Sequence, residues 1–126
     1  MATHVETRLT FFFPYILIGG AKNVAGFISA EIEGFIEKNK LKKQSKELNT
    51  LFENINYCAN TADKSLIANM TDLKKMFLAH THDCKFEEIH WNDVNNEVNN
   101  IIISFKSSNE KYVSPNERMI NLLKNQ

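Results

Sequence analysis

A chain of 126 residues with 43% hydrophobic and 24% charged side chains has the length and make-up of one soluble domain, residues 1–126, able to bury a core. Fifteen basic residues balance fifteen acidic ones, which argues against a protein that grips nucleic acid through bulk charge and leaves room only for a local basic patch. Two cysteines, Cys58 and Cys84, make neither a disulfide framework nor a CxxC pair; with no secretory start they read as free thiols of a cytoplasmic protein.

In chain order, the first apolar run is Leu9 to Ile18. It is about half the length of a membrane span, contains Pro14 and stops at Gly19-Gly20. It reads as core, with Arg8 to Ile18 a further helix bent or broken at the proline. Four helical stripes follow. Val24, Ile28, Ile32 and Phe35 form the first, widened by Phe27 and Ile36. Leu48, Leu51, Phe52, Ile55 and Ala59 form the second. Leu66, Met70, Leu73 and Phe77 form the third, flanked by Ile67, Met76 and Leu78. Val94, Val98, Ile101, Ile102 and Phe105 form the fourth.

Capping signals mark the ends. Thr61 is placed to cap the third helix, with Asp63 in its first turn, and Asn92 to cap the fourth, with Asp93 and Glu97 near its positive end. Phe86 to Trp91 reads as a loop, with Trp91 a staple that packs it onto the rest. Ser114-Pro115 is an N-cap with a first-turn proline, opening a short helix over Asn116 to Leu123. The asparagine-rich run NDVNNEVNN (Asn92 to Asn100) reads as a product of base composition rather than of function. The fold class expected is all-α, an antiparallel bundle of four to five helices.

Two stretches carry candidate chemistry. KNKLKKQSK (Lys38 to Lys46) holds five lysines between the first two stripes; it reads as a solvated turn, or more sharply as a nucleic-acid contact through Lys42 and Lys43. LKKMFLAHTHDC (Leu73 to Cys84) ends a helix at His80, with His82, Asp83 and Cys84 beyond. A histidine there can simply cap free carbonyls. His82, Asp83, Cys84 and His90 are zinc-binding residue types, but their spacing matches no zinc motif; no metal and no other cofactor is expected. A nucleophilic Cys84 beside a histidine rests on residue type alone.

The pair of helices around this point, one ending in Leu78-Ala79-His80 and the next opening at Ile89-His90-Trp91-Asn92-Asp93-Val94, resembles the C-terminal half of HEPN domains, most closely those of bacterial abortive-infection systems. The likeness covers about residues 66–105. It implies a HEPN-like helical bundle and a homodimer, acting in defence or as a toxin, with RNA or a protein partner encoded nearby. Many HEPN proteins are metal-independent ribonucleases whose signature is an arginine followed, four to six residues on, by a histidine. His80 matches the histidine, while Lys74 stands where the arginine is customary and Lys75 where a polar residue follows it.

In such a site His80 carries the proton and Lys74 holds the phosphate, with Lys75 on the nucleic acid. A lysine is a mobile point charge where an arginine is a flat fork of donors. Loss of such a preorganised donor typically costs about 3 kcal/mol in the transition state. Lys74 and His80 also lie about 120° apart around the helix and about 9 Å along it, so they would meet one phosphate only across a dimer seam. The resemblance therefore implies either a weak ribonuclease or a degenerate, non-catalytic bundle that works by dimerisation or partner binding. The alternative is an unrelated helical interaction protein with no nucleic-acid role.

Overall fold

Thr10 and the phenylalanines after it favour extended chain, and extended chain is what they form. The structure, a computed structural model, describes residues 1–52, 63–104 and 112–125. Strand β1 (Ala2–Thr3) pairs antiparallel with β2 (Thr10–Phe11) in the register Ala2 to Phe11 and Thr3 to Thr10. The helix expected over Arg8 to Ile18 is therefore corrected to a strand followed by turns. Pro14 lacks an amide hydrogen and ends the extended stretch. The turn after it closes through Ile18 N–H to Pro14 O (3.0 Å) and Gly20 N–H to Tyr15 O (2.9 Å). Gly19 and Gly20 both take positive φ, 87° and 80°, which only glycine adopts at little cost.

The remainder is mostly helical. Helix α1 (Val24–Lys38) buries Val24, Ile28, Ile32, Phe35 and Ile36, the face its periodicity predicts, and with them Glu31. Past its last turn Lys40 takes φ 56° and Leu41 N–H bonds back to Ile36 O at 2.9 Å, a left-handed stop of the kind glycine usually supplies. Helix α2 (Ser45–Phe52) follows a single 3-10 turn at Lys42–Gln44. Of the stripe predicted for it, Leu48 is fully buried. The side chains of Leu51 and Phe52, and residues Ile55, Cys58 and Ala59, lie outside what the structure describes, as does Thr61.

Helix α3 (Lys64–Thr81) is capped by Asp63, whose Oδ1 accepts from Leu66 N–H at 2.9 Å. Asp63 is thus the cap rather than a first-turn residue. Leu66 and Leu73 are buried, Met70 and Phe77 half-buried, while Ile67, Met76 and Leu78 face outward.

Helix α4 (Trp91–Asn99) starts two residues earlier than the expected cap implies and stops well before the predicted Phe105. Its N-cap is His90, so Asn92 sits inside the first turn instead of capping it. Beyond Asn100 the β-branched Ile101, Ile102 and Ile103 leave the helix. Ile103–Ser104 forms β3, paired antiparallel with β4 (Tyr112–Val113) in the register Ile103 to Val113. Phe105 lies outside the described residues. Helix α5 (Pro115–Lys124) opens as predicted, with Ser114 Oγ accepting from Glu117 N–H at 3.1 Å.

Strand β2 divides the interior. Successive strand residues point to opposite sides. Leu9 and Phe11 enter a core made with α1, Leu41, Leu48 and the α5 residues Met119 and Leu123. Phe12 enters a second core with Leu73, Val98 and Ile103. One edge of β2 is covered by β1. The other is covered by α4, through side chains instead of a strand.

Candidate functional site

That second edge is held by two asparagines. Phe12 N–H donates to Asn95 Oδ1 (2.7 Å) and Asn95 Nδ2 donates back to Phe12 O (3.0 Å). Thr10 N–H donates to Asn99 Oδ1 (2.8 Å), and Asn99 Nδ2 donates back to Thr10 O. A carboxamide carries one acceptor and one donor side by side, as a peptide group does. Four helical residues rise about 6 Å and two strand residues about 6.6 Å, so one turn of α4 matches alternate residues of β2. The helix stands in for a neighbouring strand.

The asparagine run therefore carries a polar face in which Asn95 and Asn99 are buried and Asn92 half-buried. Asn92, Asn95 and Asn99 repeat at the core spacing i, i+3, i+7, one residue out of step with the apolar Trp91, Val94 and Val98. Their spacing was the missed signal. Asn92 and Asn95 also donate to Glu31 Oε2 at 3.3 and 3.0 Å. Gly34, one turn along α1, permits this approach: a Cβ there would lie 2.1 Å from Asn92 Nδ2. Burial raises the Glu31 pKa above the ordinary carboxylate value, against the amide bonds from Asn95 and Asn92 and the nearby Lys38. Lys38 Nζ meets Asp93 Oδ1 at 2.6 Å, and that bond lowers the Asp93 pKa.

The opposite face of Phe12 opens on an aromatic groove. The Phe12 and Phe77 rings stack with centroids 4.4 Å apart and planes 11° apart. Trp91 stacks on Phe77 at 5.8 Å, and Phe86 meets Trp91 edge-on at 5.7 Å. Trp91 is thus the staple the sequence suggests. With Phe13, Pro14 and the turn residues Tyr15, Ile16 and Leu17, these rings line an open groove of about 550 Å³. Ile16 is 89% exposed, Leu17 69%, Tyr15 53% and Phe86 47%.

The residues singled out from sequence lie elsewhere. His80 is in the last turn of α3, exposed, with Nε2 3.3 Å from Glu97 Oε2. Lys74 is exposed, and no ion pair or hydrogen bond joins it to His80 among the described residues. Lys75 lies 4.0 Å from Asp72. Lys42 and Lys43 are exposed in the turn between α1 and α2. The structure brings His80 together with Glu97 from the next helix, and with none of the lysines. His82 Nδ1 lies 2.8 Å from Asp83 Oδ1, both exposed, and Cys84 is an exposed free thiol. Among the described residues no three His, Cys, Asp or Glu converge as metal ligands, and no helix is long and apolar enough to cross a membrane.

Fold and groove together define a mostly helical domain with an amide-clasped strand and an open aromatic face. The chain belongs to the family described as a domain of unknown function, DUF6933, whose profile matches residues 1–118. Comparison with curated proteins and with solved structures gave no match.

Proposed function

We propose that the chain is a non-catalytic binding module that takes an apolar segment of another protein into the aromatic groove. The observation that carries this reading is the groove itself: stacked rings for a floor, about 550 Å³ of space, and a rim of Tyr15, Ile16 and Leu17 left in water. Binding sites are concave and lined mostly by apolar and aromatic groups, and an apolar patch that continues past a cavity onto the surface marks a macromolecular partner. A chain segment carrying one or two aromatic or aliphatic anchors would fill the floor and cover the rim together.

Selection from a displayed peptide library, followed by direct titration, tests this. Enriched peptides should carry large apolar anchors and should lose binding at least tenfold to Leu17→Asp, a change at an exposed position. Peptides that bind wild type and Leu17→Asp alike, or no enrichment at all, would end the proposal. Sedimentation over a range of concentrations tests the homodimer as the occupant: a monomer–dimer equilibrium abolished by Leu17→Asp would put a second copy in the groove.

A second reading rests on the His80–Glu97 contact and on the likeness to HEPN domains. Here His80 acts as proton carrier in metal-independent RNA cleavage, with Glu97 fixing its ring and Lys74 the phosphate-holding cation, in a defence or toxin-type system. It requires RNA cleavage that persists in a chelator and disappears in His80→Ala. Intact RNA after prolonged incubation with concentrated protein would remove it.

A further inference from the structure

The lysine-rich stretch of the sequence takes no part in the aromatic groove. Lys38, Lys40, Lys42, Lys43 and Lys46 fall at the turn between α1 and α2, with no carboxylate among them. The turn is fixed at both ends. Leu41 is buried in the first core, and its N–H bonds back to Ile36 O. Leu48 is fully buried in α2. Gln44 N–H closes the 3-10 turn on Leu41 O at 2.9 Å. Lys40, Lys42, Lys43 and Lys46 are exposed on this anchored backbone.

The five lysines differ in what they meet. Lys38 Nζ is held by Asp93 Oδ1 at 2.6 Å. The other four ammonium groups make no ion pair among the described residues, and Glu37 and Glu47, which bracket the run, pair with none of them. Lys46 follows Lys42 and Lys43 by four and three residues, a spacing at which side chains on a helical turn are neighbours and like charges repel. These three also crowd the amino end of α2, where the helix dipole is already positive and only Glu47 acts the other way. Lys40 takes φ 56°, a left-handed position that glycine occupies at less cost. No contact among the described residues offsets this concentration of charge; an anion from outside would.

We propose that this turn is a docking surface for the phosphate backbone of a nucleic-acid duplex, bound without regard to sequence. A lysine meets a phosphate as a point charge. The turn has no arginine fork to clamp single carboxylates and no aromatic side chain on which an unpaired base could stack. What it offers is four cations side by side. A duplex carries one charge per about 1.7 Å and gives up a counterion at each contact. An extended acidic peptide, with at most one carboxylate per residue of about 3.3 Å, is less densely charged. Leu41 and Leu48 belong to the core on one side of β2, whereas the groove opens from Phe12 on the other. A duplex held here leaves the groove free, so this surface is independent of the function proposed above.

Fluorescence anisotropy with labelled DNA and RNA duplexes of about 20 base pairs, titrated with the whole chain over a range of KCl concentrations, tests the surface. The expected Kd is about 10–100 µM near 50 mM KCl, and the logarithm of the binding constant should fall against log[KCl] with a slope of about −3.5. Lys42→Gln/Lys43→Gln, at exposed positions, should halve that slope and weaken binding at least tenfold. Lys22→Gln/Lys85→Gln, exposed lysines elsewhere, should change neither. Binding of one duplex and not the other supports the surface and names the backbone it takes. No binding of either duplex at about 20 mM KCl would overturn the proposal. Affinity and slope unchanged in Lys42→Gln/Lys43→Gln would overturn it in favour of diffuse attraction. Tighter binding of poly-glutamate than of both duplexes would overturn it in favour of an acidic protein segment.

Discussion

Phe12 belongs to two regions of opposite character. Its backbone is clasped by Asn95 inside a buried polar seam, and its ring is the floor of an open aromatic groove. In the seam, direction decides: each amide supplies a donor and an acceptor at fixed positions, and a misplaced atom leaves a buried polar group unmet. In the groove, area decides, and rings of similar size can replace one another with modest loss. The seam thus holds one geometry firmly, while the groove tolerates variation in what fills it.

The largest test of this contrast is Asn95→Asp. The new side chain keeps the size but loses the donor, leaves Phe12 O unpaired and sets a second carboxylate beside Glu31. It should remove about 4 kcal/mol of stability, read as a fall in denaturant midpoint. A loss below about 1 kcal/mol would mean that the helix–strand seam is incidental. Gly34→Ala comes next. Its methyl group collides with the Asn92 side chain, and after the gain in helix propensity the net loss should be about 1–2 kcal/mol. Were Gly34→Ala stabilising, α1 and α4 would not approach as closely as described.

Glu31→Gln acts more gradually and through pH. Burial raises the folded Glu31 pKa above its ordinary 4.5. The folded chain then binds more protons than the unfolded chain between those two values, so stability falls as pH rises through that window. Denaturant midpoints of wild type and Glu31→Gln, compared from pH 4.5 upward, should therefore shift in favour of the variant. Asp63 and Asp93 work in the opposite sense. The Leu66 amide lowers the first pKa and the Lys38 bond the second, so their contributions are lost as pH falls below 3.8. The smallest effect belongs to the groove rim: Leu17→Asp should leave stability within about 0.5 kcal/mol of wild type while removing peptide binding. A large stability loss there would show that Leu17 serves the fold and not a partner.

Much of the helical scaffold was legible in the sequence. The α1 stripe from Val24 to Ile36 and the Ser114-Pro115 start of α5 follow directly from apolar period and cap chemistry. Three features were not. Thr10-Phe11 sits in an apolar run that suits a helix or a strand alike, and its pairing is set by distant Asn95 and Asn99. The fourth stripe continues through Ile101 and Ile102 in the sequence because β-branched residues count as apolar in either state. The asparagines carry no apolar period, yet a polar stripe at the same spacing, once its amides are satisfied, buries Asn95 and Asn99 as deeply as Val98. Of the candidate site, the helix carrying His80 was visible, but its proximity to Glu97 joins two helices and no local pattern records it.

The amide clasp reads main chain and not side chain. Positions 10 and 12 are thereby gripped through the main chain by any residue with an amide hydrogen, and position 12 can exchange one large apolar side chain for another. A relative with leucine or tyrosine there could keep the whole scaffold and change what its groove admits, which makes recognition separable from architecture in this fold.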